Sequence, residues 1–440
     1  MDKHTIKIIL LIIIIGISII STAIIVSFSF IWVIEENSDN VEGDIEKIFT
    51  AESVDDLQGI FDPSLTELVS LDYLYYIIDE IRTYYGQFRN VSVSYQFISN
   101  IYVYDLHLEY AKTNGTVGLD FFSQLINSFW IGALDFYPSY INDLNWSTIH
   151  TEFETLPGNK SLLIKRENST MYSYNVGEKL EVASTFKLFV LQALVNKIQN
   201  SSINWDTMIP IQDKYKSLPS GILHTEDNGT IFTLKELADY MISISDNTAT
   251  DHLIYLLNRS YVESYLPTDY PFPLLTTSES FKLRWLIDDS DLRRYLGMNV
   301  SEKRDYLDNN ISTLDISDID VGSINWSHNL VNRSQIEWTF NATNIYNIQK
   351  KTKLYNSTHL NPGLANPHDW QNVSYKGGSD VGVYSMAHSL QATNLTWFYI
   401  TMICNNYNKI ELDYGSYVQG QWGYIAICQK IIDKLALQTS

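Results

Sequence analysis

Ser184 and Lys187 stand three residues apart at the head of an apolar run, EVASTFKLFVLQALVNKI, residues 181–198. A hydroxyl and an amine one helical turn apart lie on the same face. Such a pair can do nucleophilic chemistry if the amine is a base, which requires its pKa to fall well below ~10.4. Burial and a neighbouring cation both lower it. The spacing alone is common, and a capping serine followed by a snorkelling lysine has the same letters. Two more groups sharpen the pattern. Ser245-Asp246-Asn247 interrupts TLKELADYMISISDNTATDHLIYLL, and Lys376-Gly377-Gly378-Ser379 closes a strand-like stretch. Glycines inside a strand mark a place where something approaches the backbone closely. Taken singly, a helix-joining turn or a β-bulge would explain either group. In this order, on helix, loop and strand, coincidence falls to about 1%.

These side chains need rigid supports, and the periodicity supplies them. Thr233 and Glu236 form a capping box with Phe232 and Leu237 as its staple, so a helix begins there and runs to about Ser243. A second apolar helix follows the Ser-Asp-Asn break. Strand-like stretches HTEFETL, SLLIKRE and STMYSYN precede the Ser184 helix; VSYKGGSD, GVYSMAHSL and LTWFYITMICNN follow a helical middle; a helix from Gly420 closes the chain. Sheet, helical insertion, sheet and terminal helix predict an α+β domain over 149–440. Ahead of it, helical patterns at 51–70 and Leu71–Tyr85 give way at Asn90 to period-two strands, VSVSYQFIS and IYVYDLHLEY. Asn114-Gly115 reads as a hairpin turn. This predicts a small α+β domain over 48–148, preceded by a polar linker at 35–47.

Residues 150–440 resemble the class A branch of the serine β-lactamase/DD-peptidase superfamily through Ser-x-x-Lys, Ser-Asp-Asn and Lys-Gly-Gly. SLPSGIL, MISISDNTATDHLI, LLTTSESFKL and YKGGSDVGV extend the likeness. The front domain resembles the NTF2/steroid-isomerase-like cone, and the pairing is similar to the two-domain proteins of clavulanic-acid clusters. The implied fold is an antiparallel sheet flanked by helices plus a helical subdomain. The implied catalytic residues are Ser184 as nucleophile, Lys187 as its base and Ser245 as proton relay. Asn247, Lys376, Gly378 and Ser379 are implied on the substrate side, with the Ser184 and Ser379 N–H groups as oxyanion donors. The implied partner is a small acyl substrate (a β-lactam, peptide or ester), with no cofactor. D-alanyl peptidase or esterase activity, or a sensor acylated once, are alternatives. Two departures stand out. Gly377 replaces the usual hydroxyl residue, and Asn258–Thr277 lacks a Glu-x-x-Leu-Asn loop. Glu263 reads there as a helix-face residue and Asp269 as a residue of a proline-flanked loop.

The chain has 440 residues, 45% hydrophobic and 18% charged, which excludes a largely disordered protein. A net charge of -21 disfavours nucleic-acid binding. Ile8–Ile34 carries no charge and exceeds the ~20 residues needed to cross a bilayer. Lys3 and Lys7 before it, and Glu35 and Glu36 after it, predict a signal anchor at 8–34. Residues 1–7 would be cytoplasmic and everything later extracellular. Sixteen Asn-x-Ser/Thr sites agree with an external glycoprotein. No Cys/His cluster has metal spacing, and Cys404 and Cys428 leave a disulfide and two buried thiols equally open.

Overall fold

The computed structural model describes residues 38–67, 69–98, 100–120, 122–319, 336–380, 382–406, 409–412, 415–418 and 420–439. The expected anchor at 8–34 lies outside them. Among the described residues no helix is long and apolar enough to cross a membrane. Contacts divide the chain into two units. Among the described residues, one comprises 38–157 with 409–438, the other 158–406.

The front unit opens with helix α1, Ser38–Thr50, over most of the expected linker. Its Val41, Ile45, Ile48 and Phe49 are buried, a helical stripe hidden among many polar letters. The single helix expected over 51–70 is instead a 3-10 turn, Val54–Leu57, and a short helix, Pro63–Thr66. Pro63 lacks an N–H and so starts a helix rather than continuing one. Helix α2, Leu71–Tyr85, stops at Gly86 as read. Five antiparallel strands follow: β1 Phe88–Ile98, β2 Ile101–Leu108, β3 Ala111–Leu119 and β4 Ile126–Ile131 in order, with β5 Asp135–Phe136 on β3. Asn114-Gly115 is no turn. It lies inside β3 opposite Asp105 and Tyr104, where the Tyr104 hydroxyl crosses Gly115 to reach Trp130 O at 2.9 Å. Tertiary fit has overridden the local turn signal.

HTEFETL, expected as a strand, is part of helix α3, Trp146–Thr155. The Asn145 side chain caps it by accepting from Thr148 N at 2.8 Å, and Ile149 and Phe153 bury one face four residues apart. The C-terminal helix Gln421–Thr439 is grouped with this unit rather than with the second sheet. Its Lys430 Nζ meets Glu152 Oε2 at 2.8 Å, and its Tyr424 hydroxyl donates to Pro157 O.

The second unit is built on one antiparallel sheet. Its strands β6 Asn159–Arg166, β7 Ser169–Tyr174, β8 Asn372–Asp380, β9 Val383–Gln391 and β10 Trp397–Asn405 are ordered β8-β9-β10-β6-β7. All nine residues of β10 are buried, as a central strand requires. Helix α4, Lys187–Asn200, is buried all round from Lys187 to Val195. Against it lie α5 Leu234–Ser243 and α6 Asn247–Leu257, joined by the Ser-Asp-Asn loop. The Thr233–Glu236 capping box is present, with Glu236 N donating to Thr233 Oγ1 at 3.1 Å. Helix α7, Arg259–Glu263, and helix α8, Thr277–Trp285, complete the surroundings of the site.

Candidate functional site

Ser184 sits in a 3-10 turn, Ala183–Phe186, immediately before α4. Two features fix that turn. Phe186 stacks on Trp338 with ring centroids 4.1 Å apart. Ser385 of β9 donates to Val182 O at 2.7 Å and contacts Thr185 Oγ1 at 2.6 Å. Ala183 is held at φ 43°, a left-handed conformation costly for a residue with a Cβ. Around it everything is buried, yet Ser184 is only half-buried. A rigid, partly open hydroxyl results.

Lys187 is wholly buried. Its Nζ donates to Ser245 O at 2.6 Å and to Asn247 Oδ1 at 2.7 Å, and lies 3.2 Å from Ser245 Oγ. Ser184 Oγ itself has no hydrogen-bond partner among the described residues. Burial lowers the Lys187 amine to about 7, against the opposing pull of Asp246 and Asp251. From β8, Lys376 Nζ reaches Ser245 Oγ at 3.0 Å and Gly377 O at 2.6 Å. Its amine lies well below the ordinary lysine range because it is buried and because Lys187 is near. Ser245 therefore bridges two lysines. It too is held at positive φ, 60°.

The loop is positioned from beneath by Asp246. One carboxylate oxygen caps α6 by accepting from Ala249 N at 2.7 Å; the other accepts from Ile222 N at 2.7 Å and Leu223 N at 2.8 Å. Asn247 Nδ2 donates to Leu218 O at 3.0 Å, which turns its Oδ1 toward Lys187. Gly378 meets the expectation of a close approach. A Cβ there would crowd Val182 O and lie 2.8 Å from Ser184 N. Ser379 is exposed next to it on β8, an edge strand of the sheet. All seven residues singled out from the sequence thus lie on the Ser184 turn and α4, on the Ser-Asp-Asn loop, or at the end of β8.

Glu263 is not a free helix-face residue. It is buried, with Oε1 accepting from Leu274 N at 2.8 Å and Oε2 paired with Arg304. Asp269 is exposed and paired with Lys179 at 2.9 Å. Two contributors carried no sequence signal. Asp251 is buried and accepts from Thr277 N and Ser278 N at 2.7 and 2.9 Å, tying α8 to α6; burial raises its carboxyl to about 7 despite these donors. Tyr375, two residues before Gly377, lies across that glycine. Among the described residues no group of three or more His, Cys, Asp or Glu could hold a metal ion, and Cys404 and Cys428 are buried and not joined in a disulfide.

Residues 148–272 match the family model described as the beta-lactamase enzyme family, a span holding both the Ser184 turn and the Ser-Asp-Asn loop. No curated protein matches the chain. Among solved structures, a β-lactamase from Sphaerobacter thermophilus DSM 20745 is 16% identical, with 67% of this chain and 97% of that chain covered and a TM-score of 0.41. A class A β-lactamase representative from Bacteroides cellulosilyticus DSM 14838 is 17% identical, with coverages of 67% and 97% and a TM-score of 0.41. A β-lactamase from Francisella tularensis is 14% identical, with coverages of 67% and 99% and a TM-score of 0.41. The family-model match, the sheet and the helical lobe together define a serine β-lactamase-like α+β domain.

Proposed function

We propose that the second unit is a serine hydrolase of the class A β-lactamase type that forms an acyl-enzyme on Ser184. The observation that carries this reading is Lys187, fully buried and lowered to about 7, one turn from a half-buried serine. A neutral amine has two N–H groups and one lone pair. Ser245 O and Asn247 Oδ1 take the two hydrogens, which leaves the lone pair for a hydroxyl proton. Ser184 Oγ attacks the carbonyl carbon of an amide, lactam or ester while Lys187 takes its proton. The carbonyl oxygen becomes an oxyanion facing the Ser184 N–H and the edge of β8. The C–N or C–O bond then breaks, and Ser245, between the two lysines, passes a proton to the leaving atom. The acyl group stays on Ser184.

The test is labelling followed by intact-mass measurement. Ser184→Ala should abolish adduct formation with a fluorophosphonate or a penicillin, because the attacking oxygen is gone. Ser379→Ala should keep most of it, because the backbone N–H remains. Equal loss in both would overturn the assignment of β8.

The binding of Glu263 and Asp269 by other partners favours a second reading, a sensor acylated once. Turnover against single-hit labelling separates the two. The front unit, with helices ahead of an antiparallel sheet, is proposed as an NTF2-like module of the kind paired with class A-like domains. The charge asymmetry about Ile8–Ile34 and the sixteen sequons support a single-pass anchor with both units outside the cell.

A further inference from the structure

The two amides proposed to face the oxyanion, those of Ser184 and Ser379, lie beside segments held by one arginine. Arg284, in the last turn of α8, is buried. Its Nη1 donates to Asp380 Oδ2 at 2.8 Å, and its Nη2 pairs with Glu337 Oε1. Asp380 ends β8 and directly follows Ser379. Glu337 directly precedes Trp338, which grips the Ser184 turn. Trp338 O accepts from Val182 N at 2.9 Å, and its ring stacks on Phe186 with centroids 4.1 Å apart. Thr339 and Phe340 then pair with Glu181 and Leu180, the residues that lead into the turn. The Glu337 segment is fastened to α8 and the residues before it on either side of the carboxylate. Ser280 donates to Ile336 O at 3.2 Å, and Trp338 Nε1 donates to Leu275 O at 3.1 Å. Water reaches little of this junction: side-chain exposures are 4% for Arg284, 0% for Glu337 and 17% for Asp380. Ion pairs so placed are screened far less than surface pairs.

We infer that Arg284 is a positioning residue that, through Glu337 and Asp380, sets the separation of the Ser184 and Ser379 N–H groups. The inference rests on the reading of Ser184 as nucleophile and adds a residue outside the seven singled out from the sequence. An oxyanion donor contributes only where it is aligned in advance, and a misplacement of ~1 Å costs roughly 10²-fold. The two amides belong to separate elements, the Ser184 turn and the end of β8, and Gly378 permits their close approach. That approach has to be held. A guanidinium suits the task because its planar fork reaches two carboxylates in fixed directions. A lysine ammonium is a single point charge without such a fork.

The experiment uses the full chain and benzylpenicillin carrying carbon-13 at its lactam carbonyl. Acylation rate constants are read by intact mass, and the carbonyl stretch of the adduct by isotope-edited infrared difference spectra. Hydrogen bonds from the oxyanion donors lower that stretching frequency. Arg284→Lys keeps the charge and loses the fork. Asp380→Ala cuts only the β8 arm and leaves Arg284 paired with Glu337, so it decides the matter alone if Arg284→Lys does not fold. Each variant should acylate roughly ten- to a hundredfold more slowly, with the adduct's band moved to higher wavenumber. A lowered melting temperature with wild-type rate and band would mean a packing role and overturn the inference. Slower acylation with an unchanged band would also overturn it, because the donors would still be in place. A wild type that forms no adduct at Ser184 with penicillin or fluorophosphonate would instead overturn the nucleophile reading, and the inference with it.

Discussion

A lysine ordinarily titrates at ~10.4, and Lys187 is lowered to about 7 because burial strips its ammonium of water. On the proposed reading the active form is the neutral amine, which prevails above that value. The acylation rate constant should therefore rise about tenfold per pH unit on the acid side and level off above pH ~7. A rate profile for single-hit labelling checks this; a flat profile across pH 5–8 would remove Lys187 as the base. Replacing the amine in Lys187→Ala should cost roughly 10²–10⁴ in rate, the usual worth of a positioned base. Gly378 gives a steric counterpart. A Cβ there would crowd Val182 O and lie 2.8 Å from Ser184 N, so Gly378→Ala must push the strand and the Ser184 turn apart. A displacement of that kind costs roughly 10²-fold. Labelling of Gly378→Ala at the wild-type rate would show that the turn can yield without loss.

On the proposed acyl-enzyme reading, a deacylating base is expected from the segment Asn258–Thr277. Its two carboxylate side chains nearest the expected place of a water-activating base are both committed elsewhere, Glu263 to Leu274 N and Arg304, and Asp269 to Lys179. Without a dedicated base, release of the acyl group should be slower by roughly 10²–10⁴. A cephalosporin adduct on Ser184 should then persist for minutes, visible as a stopped-flow burst and a stable intact-mass shift. Rapid steady turnover with no detectable adduct would show that another group acts as base. The same segment shows how far the sequence could be read. The Ser-x-x-Lys, Ser-Asp-Asn and Lys-Gly-Gly groups were legible because each is a short local pattern, and their order carries the rest. The α5–α6 break was legible because Thr233–Glu236 is a local capping signal. Glu263 was not, since its burial depends on Leu274 and on Arg304, forty-one residues away. Asp251 looked like any helix residue until Thr277, twenty-six residues on, closed against it. HTEFETL misled because its alternating letters mimic a strand while Asn145, Ile149 and Phe153 carry the helical signal.

At the scale of the whole chain, the signal-anchor reading predicts that both units are cut when intact cells are treated with protease and that several sequons carry glycans. Full protection of the C-terminal portion would overturn that topology. A second prediction follows from where the terminal helix makes its polar contacts. Lys430 pairs with Glu152 of α3 at 2.8 Å and lies 5.4 and 5.6 Å from the Phe136 and Tyr140 rings. Lys434 Nζ donates to Ile141 O and Asn142 O at 2.9 and 3.0 Å, and Glu80 of α2 accepts from Gly420 N and from Trp422 N. The same helix buries Trp422, Tyr424, Ile427, Ile431, Ile432 and Leu435. At roughly 1.5–3 kcal/mol for each large apolar side chain, that burial is comparable to the ~5–15 kcal/mol net stability of a typical domain. A chain ending at Val418 should therefore lose hydrogen-exchange protection across β2 and β3, although neither strand has been altered. The smaller change Lys430→Ala, which removes a buried lysine from half-buried Glu152, should weaken protection in α3 without abolishing the sheet. Unchanged protection of β2 and β3 in the truncated chain would show that the front sheet is stable without the helix that follows it some three hundred residues later.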